Sequence, residues 1–317
     1  MPHLLIAGKL HPAGLALLNA APVSYDYVQE ITEATYAPLL HKADGLVIRT
    51  QPLTAATIAM GTRLKIVSRH GVGYDAVDVA ALTARRIPLC IVGDVNSVSV
   101  AEHAMMLILA AVKRLVVSDD AVRDPAQWEW RNRLESGEVS GKRLLIVGFG
   151  RAGRHLARMA AGFDMVISAH DPYLAENSWP AGLVRNAPDL LAALADADIV
   201  SLHVPKGDRP LIGAAELAVM KRSAVLVNTA RGGVVDEAAL ALALRSGQIG
   251  AAGLDVFETE PPLADNPLAQ LRQLVLTPHI AGLTQESAAR MAVASVQNVL
   301  DFFAGRLDPA FIVNGVT

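Results

Sequence analysis

Nine short apolar runs separated by amphipathic stretches constrain the fold of this 317-residue chain more than any other feature. They are LLIAG at 4 to 8, GLVIR at 45 to 49, KIVS at 65 to 68, PLCIV at 88 to 92, LLIVG at 144 to 148, MVIS at 165 to 168, DIVSLHV at 198 to 204, AVLVN at 224 to 228 and LVLT at 274 to 277. Strands alternating with helices imply parallel sheets with helices on both faces, and runs that are continuously apolar fit strands buried on both sides. Nine or ten strands exceed what one mononucleotide-type sheet commonly holds. A helical pattern from Ser97 to about Leu134 marks a junction, and a second from Thr284 to Gly305, with Gly305 as its C′ residue, leads the chain back toward the first domain.

A chain that is 52% hydrophobic with a net charge of −3 has material for two buried cores, and it lacks the basic stripe of a nucleic-acid or membrane-surface protein. Residues 1 to 8 carry no signal-peptide pattern, and the apolar stretch from Ala104 to Val112 is too short to span a bilayer before Lys113 interrupts it. The single cysteine, Cys90, reads as a small buried hydrophobe, so the expected compartment is a reducing cytoplasm. There is no H-E-x-x-H and no Cys/His cluster, so no metal site is expected.

Two loops compete for a dinucleotide. Gly148, Gly150 and Gly153 form G-x-G-x-x-G, while Gly71, Gly73 and Ala76 form G-x-G-x-x-A, and Asp171 and Asp94 each follow their loop by 18 residues. Pyrophosphate binds backbone N–H groups at a helix N-terminus, where Arg151 favours it and Asp75 and Asp78 would repel it. The strand before Gly148 is cleanly apolar, whereas Ser68, Arg69 and His70 precede Gly71. The first loop is therefore preferred. Asp171, in AHDPY, can accept the adenosine ribose hydroxyls and repel a 2′-phosphate, which favours NAD over NADP.

Oxidising a 2-hydroxy acid needs a base, a cation for the carboxylate and a hydride acceptor. His279, in LTPHIAGLT, can exchange protons near neutrality. Glu260 can orient the ring, and a carboxylate beside an imidazole favours its protonated form. Arg231, in VNTARGGVVDE, can grip a carboxylate by two parallel hydrogen bonds. All three are placed at carboxyl ends of strands, on the edge where open α/β sheets bind ligands. His103, in AEHAMML, reads as structural, and His203, in SLHVP, as a residue able to approach the cofactor from a strand end.

With these residues in place, the chain resembles the D-isomer-specific 2-hydroxyacid dehydrogenase family over essentially its full length. SRHGVGYDAVD (68 to 78), NSVSVAEHA (96 to 104), GKRLLIVGFGRAG (141 to 153), VNTARGGVVDEAAL (227 to 240), GLDVFETEPP (253 to 262) and TPHIAG (277 to 282) carry the likeness. The resemblance implies an α/β fold of two doubly wound parallel-sheet domains. One is a flavodoxin-like substrate domain of residues 1–96 and 284–317, and the other an NAD-binding Rossmann domain of residues 97–283. It implies a triad of Arg231, Glu260 and His279. It implies cofactor contacts from Gly148, Gly150, Arg151, Ala152, Gly153, Asp171, Val204, Pro205, Thr229, Ala230, Asp255 and Gly282, with Asp255 on the nicotinamide side. The Gly71–Gly73 loop becomes a substrate loop, whose Val72 and Gly73 N–H groups bind the substrate carboxylate together with Arg231. A homodimer formed largely by the cofactor domains is also implied. Lys206 departs from the family's usual apolar residue, and the chain ends too soon after its last helix for a regulatory C-terminal domain, so serine feedback is not expected.

Substrate identity is less constrained. Arg49, Arg69, His70, Arg131 and Arg133 include candidates for a second anion site, which would suit phosphoglycerate or sulfolactate; glycerate or glycolate, with hydroxypyruvate or glyoxylate as their oxo forms, are the simpler competitors. Trp128 or Trp130 can wall a small pocket. A formate dehydrogenase-like enzyme is a further alternative, in which the Glu260–His279 pair would be superfluous. A nucleotide-sensing, co-repressor-like binding protein on the same fold is another. No nucleic-acid or membrane partner is expected.

Overall fold

The computed structural model describes residues 1–316 apart from 31, 175–178, 180, 181 and 183. It divides into two compact units, Met1–Asn96 with Leu283–Thr317, and Ser97–Gly282. Each is built on a parallel sheet.

The first unit contains β1 (His3–Ala7), β2 (Ser24–Val28), β3 (Gly45–Ile48), β4 (Ile66–Arg69) and β5 (Leu89–Cys90) in the order β2-β1-β3-β4-β5. That is the flavodoxin-like order, whose switch point lies between β1 and β3. Leu4, Ile6, Val47 and Ile66 face the helix Gln285–Phe303 through Ala292, Val296 and Val299, and Leu5, Leu46, Ile48 and Val67 face Tyr36, Leu40 and Ile58 on the other side. Close packing explains Gly45, where a Cβ would stand 2.9 Å from Val299. The returning helix is capped at Thr284, whose hydroxyl accepts the Ser287 N–H, and ends beside Gly305 at φ +67. The expected boundaries of that helix are met.

The second unit contains β6 (Arg143–Val147), β7 (Val166–His170), β8 (Val184–Asn186), β9 (Ile199–Leu202), β10 (Val225–Asn228), β11 (Ala251–Leu254) and β12 (Leu274–Leu276). Their order, β12-β11-β10-β9-β6-β7-β8, is the Rossmann order with a seventh strand added at one edge. All described ladders are parallel. One apolar cluster centres on Val147, Leu202 and Leu226 and another on Ile146, Ile199 and Val227, so both faces of the sheet are covered. The order reverses direction between β7 and β9, beside β6. The glycine loop that follows β6 therefore stands at the switch point.

Among the described residues twelve strands are present, against the nine or ten expected from apolar runs. The helical region after Ser97 is also not continuous: Ser97–Val112 and Leu115–Arg123 are separate helices, broken at Arg114, which takes φ 56 while its guanidinium donates to the Gly250 carbonyl at 2.9 Å. Among the described residues no helix is long and apolar enough to cross a membrane.

Candidate active site

The loop after β6 shows why each of its glycines is needed. At Gly148 (φ +91) a Cβ would lie 2.5 Å from the His203 carbonyl oxygen, and at Gly153 it would overlap the Gly148 carbonyl. At Gly150 it would meet nothing within 4 Å, so a ligand can approach the backbone there. Gly150 is the N-cap of the helix Arg151–Ala161, and no side chain caps it. The exposed first-turn N–H groups and the helix dipole suit an anion. Arg151 is exposed and Ala152 half-buried in that first turn. Asp171, just past β7, is tied to the same loop: its Oδ2 accepts the Phe149 N–H at 2.8 Å and its Oδ1 the Tyr173 N–H at 3.1 Å. The loop thus combines an uncapped helix start with a carboxylate fixed one strand away.

Past β9, His203 is pushed down to about 4 by burial, and its Nε2 pairs with Ser201 Oγ at 2.9 Å. It is engaged by its own strand, while Val204 and Pro205 follow it toward the surface. Past β10, Asn228 shapes the turn by accepting the Ala230 N–H at 3.0 Å and donating to the Arg231 carbonyl at 2.9 Å. One guanidinium N–H of Arg231 donates to the Ala230 carbonyl at 2.8 Å. The Thr229 hydroxyl is buried with no hydrogen-bond partner among the described residues.

Gly232 brings this turn against the loop after β11, since a Cβ there would overlap the Phe257 carbonyl. In that second loop Glu260 makes two contacts. Its Oε1 accepts the Phe257 N–H at 3.0 Å, and its Oε2 lies 2.6 Å from His279 Nδ1. The Nδ1–H is thereby committed to Glu260, leaving Nε2 on a side chain that is 52% exposed. His279 holds φ 51 in the left-handed region, and Asp255, at the end of β11, supports the turn. Its carboxylate accepts N–H groups from Ile280 and Ala281 at 2.9 and 2.8 Å and the Thr277 hydroxyl at 2.6 Å. Gly282 follows, half-buried. Three strand ends thus present a guanidinium, a carboxylate and an imidazole on one edge of one sheet.

Among proteins similar to this one, the family model described as "D-isomer specific 2-hydroxyacid dehydrogenase, NAD binding domain" matches residues 105–281. The glyoxylate reductase of Korarchaeum cryptofilum is 40% identical over 275 residues, covering 85% of this chain and 82% of that protein. The chain belongs to the D-isomer-specific 2-hydroxyacid dehydrogenase family. The D-3-phosphoglycerate dehydrogenase of Mycobacterium bovis is 38% identical over 316 residues, or 98% of this chain, and the chain spans 58% of that relative's length. The crystal structure of the TT0316 protein from Thermus thermophilus superposes with a TM-score of 0.89 at 30% identity, covering 97% of this chain and 98% of the other. The cofactor of the matched domain is NAD.

The first unit holds the remaining candidate residues. Arg49 and Arg69 follow or end β3 and β4, and the Ile48 carbonyl accepts both the His70 N–H at 2.8 Å and an Arg69 guanidinium N–H at 3.3 Å. Arg49 donates to the Lys9 carbonyl at 2.8 Å, and burial lowers its pKa. His70 is 6% exposed, its Nε2 has no partner, and burial together with Arg49 and Arg69 drives it down to about 3. The N–H groups of Val72 and Gly73 meet no protein acceptor among the described residues. Arg131 and Arg133 lie in the other unit, on an exposed 3-10 stretch, where Arg131 stacks over Trp128 and Arg133 faces Glu135. The five candidates for a second anion site thus divide between units, and Arg49, Arg69 and His70 form the local group. Sequence reasoning gave Phe257 and Gly232 no role, although both lie in the quoted segments GLDVFETEPP and VNTARGGVVDEAAL.

Proposed function

We propose that this chain transfers a hydride between NAD(H) and C2 of a small 2-hydroxy or 2-oxo acid. One observation carries the reading: Glu260 occupies Nδ1 of His279 at 2.6 Å, so Nε2 is the nitrogen left to exchange a proton with the substrate oxygen. A bound nicotinamide supplies or takes the hydride at C2. In the reducing direction His279 gives its Nε2 proton to the carbonyl oxygen as it becomes a hydroxyl, and Glu260 stabilises the imidazolium that precedes this step. Arg231 holds the carboxylate and polarises the same carbonyl. The pyrophosphate is assigned to the Gly148–Gly153 loop with Arg151 and Ala152, and the adenosine ribose to Asp171. Val204, Pro205, Thr229, Ala230, Asp255 and Gly282 are assigned to the rest of the cofactor. In the first unit, Val72, Gly73 and Arg49 are assigned to substrate binding.

An acid with a second anionic group, of the phosphoglycerate or sulfolactate type, is the preferred substrate class. Arg49 supports it, since among the described residues its guanidinium donates to a backbone carbonyl and to no carboxylate. Glyoxylate and hydroxypyruvate are the competing pair. The protein is assigned to the cytoplasm as a homodimer. A groove of about 580 Å³ lined by Met105, Met106, Leu109, Leu115, Met159 and Phe163, with Met106, Leu115 and Phe163 exposed, supports a second copy against the second unit. Light scattering at micromolar concentration is expected to give twice the 33.5 kDa chain mass.

The deciding experiment is NADH oxidation with glyoxylate, hydroxypyruvate, phosphohydroxypyruvate, sulfopyruvate and pyruvate, ranked by kcat/KM, with NADPH in parallel. Preference for a dianion supports the Arg49 assignment; preference for glyoxylate or hydroxypyruvate refutes it while keeping the reaction. No turnover with any would contradict the proposal and favour a nucleotide-sensing protein.

A further inference from the structure

Within the second unit a polar chain runs from the helix Ser97–Val112 to the backbone of His279. Asp255 is 0% exposed, and four donors converge on it: the Thr277 hydroxyl and the N–H groups of Ile280 and Ala281 reach its carboxylate, and the His279 N–H reaches its carbonyl at 2.8 Å. Those donors flank His279, whose left-handed φ of 51 is a conformation a residue with a side chain holds only under outside constraint. Thr277 has one hydroxyl hydrogen, and the 2.6 Å contact commits it to Asp255. Its lone pair then calls for a donor, and His103 Nε2 stands 2.9 Å away. The same nitrogen is 3.5 Å from Asp255 Oδ1. Facing two acceptors, Nε2 carries the ring proton. Burial favours the neutral ring, opposed by the charge of Asp255.

We propose that His103 is a positioning residue for His279, acting through the Thr277 hydroxyl and Asp255 without touching substrate. It rests on the role of His279 assigned above. Without the His103 N–H, the Thr277 hydroxyl is free to turn toward another acceptor, and the buried carboxylate loses one of the three donors that fix its rotation. The N–H groups of Ile280 and Ala281 then lose their anchor, and the imidazole drifts from the place where Glu260 holds it. A shift of this kind costs catalysis more than binding.

The test compares His103→Leu, His103→Gln and His103→Asn. Gln places an amide NH₂ near the position of Nε2, whereas Asn reaches only as far as Nδ1. His103→Leu is expected to lower kcat by about tenfold or more, with KM for the oxoacid and the Kd for NADH within about twofold. Gln is expected to restore most of kcat, and Asn little of it. Wild-type kcat in both the Leu and Asn variants would overturn the proposal, as would a Gln variant as slow as Leu at an unchanged melting temperature. Should His103→Leu fail to fold, Thr277→Val against Thr277→Ser repeats the test: Ser keeps the hydroxyl and is expected to keep kcat, and an equally active Val variant overturns the proposal. A wild type inactive on every oxoacid would instead sink the functional reading itself.

Discussion

Two glycine loops follow parallel strands in this chain and share almost the same spacing, yet they differ at the end of the loop. After β6 the chain enters the helix Arg151–Ala161 at once, with no side chain on its N-cap. After β4 it wanders from Gly71 to Asp78 before the helix Val79–Ala84, and there the Asp78 carboxylate already accepts the Ala81 N–H at 2.9 Å. A helix N-terminus left open attracts an external anion; one closed by its own aspartate is satisfied. Spacing of glycines is therefore a weaker sign of a nucleotide site than the state of the helix that follows. The second loop instead offers the N–H groups of Val72 and Gly73.

The largest effect separating the loops is expected from Gly153→Ala, whose Cβ would overlap the Gly148 carbonyl. It is expected to weaken NADH binding by about 100-fold or more in titration calorimetry. Gly71→Ala, strained at φ +148 but with only Arg69 as near as 3.9 Å, is expected to leave NADH binding intact and raise KM for the acid. Equal effects on NADH would erase the distinction.

Next in size is Asp171→Ala, expected to move the NADH to NADPH ratio of kcat/KM toward NADPH by about tenfold, roughly the 1.4 kcal/mol of one lost charge-assisted contact. An unchanged ratio would show that another group reads the ribose.

Each loop also backs onto a desolvated histidine, half-buried His203 behind Gly148 and buried His70 before Gly71. Both stay neutral in the fold, at about 4 and about 3, against an ordinary value near 6.5. Below pH 6.5 the unfolded chain takes up protons that the fold refuses, so stability present above that pH is lost as pH falls toward 4 and then 3. Urea denaturation between pH 7 and 4 is expected to show this slope, and His203→Gln to reduce it. A slope unchanged by that substitution would remove His203 as a cause.

The smallest effect concerns the caps themselves. Asp78→Ala is expected to cost about 1 kcal/mol of stability without changing NADH affinity. Gly150→Asp, which has open space for its side chain, is expected to do the reverse: it closes the helix, stabilises the free protein by about 1 kcal/mol and weakens NADH binding. Tighter NADH binding by that variant would contradict the open-helix argument.

The two parallel sheets were legible because buried strands write themselves as apolar runs, and three strands escaped for definite reasons. In β2, SYDYV is a half-buried edge strand, and β8 is a three-residue edge. In β11, AAGL is made of small residues because the helix Ser97–Val112 presses on it: a Cβ at Gly253 would lie 2.9 Å from Leu107. The positions of Arg231 and His279 just after apolar runs were legible, whereas Glu260 follows β11, which escaped. The Glu260 bridge between Phe257 and His279 was not legible, since it joins the carboxylate to a turn 19 residues away. His103 was read as structural from its apolar helical pattern AEHAMML, and its partners, 152 and 174 residues away, leave no local trace.

The central claim is that His279, oriented by Glu260, moves the proton while other residues hold the cofactor. It is tested most directly by measuring kcat and NADH affinity together in His279→Ala, on the best substrate of the oxoacid panel. A loss in kcat of about 10² to 10⁴ with NADH binding retained is expected. An unchanged kcat would contradict it.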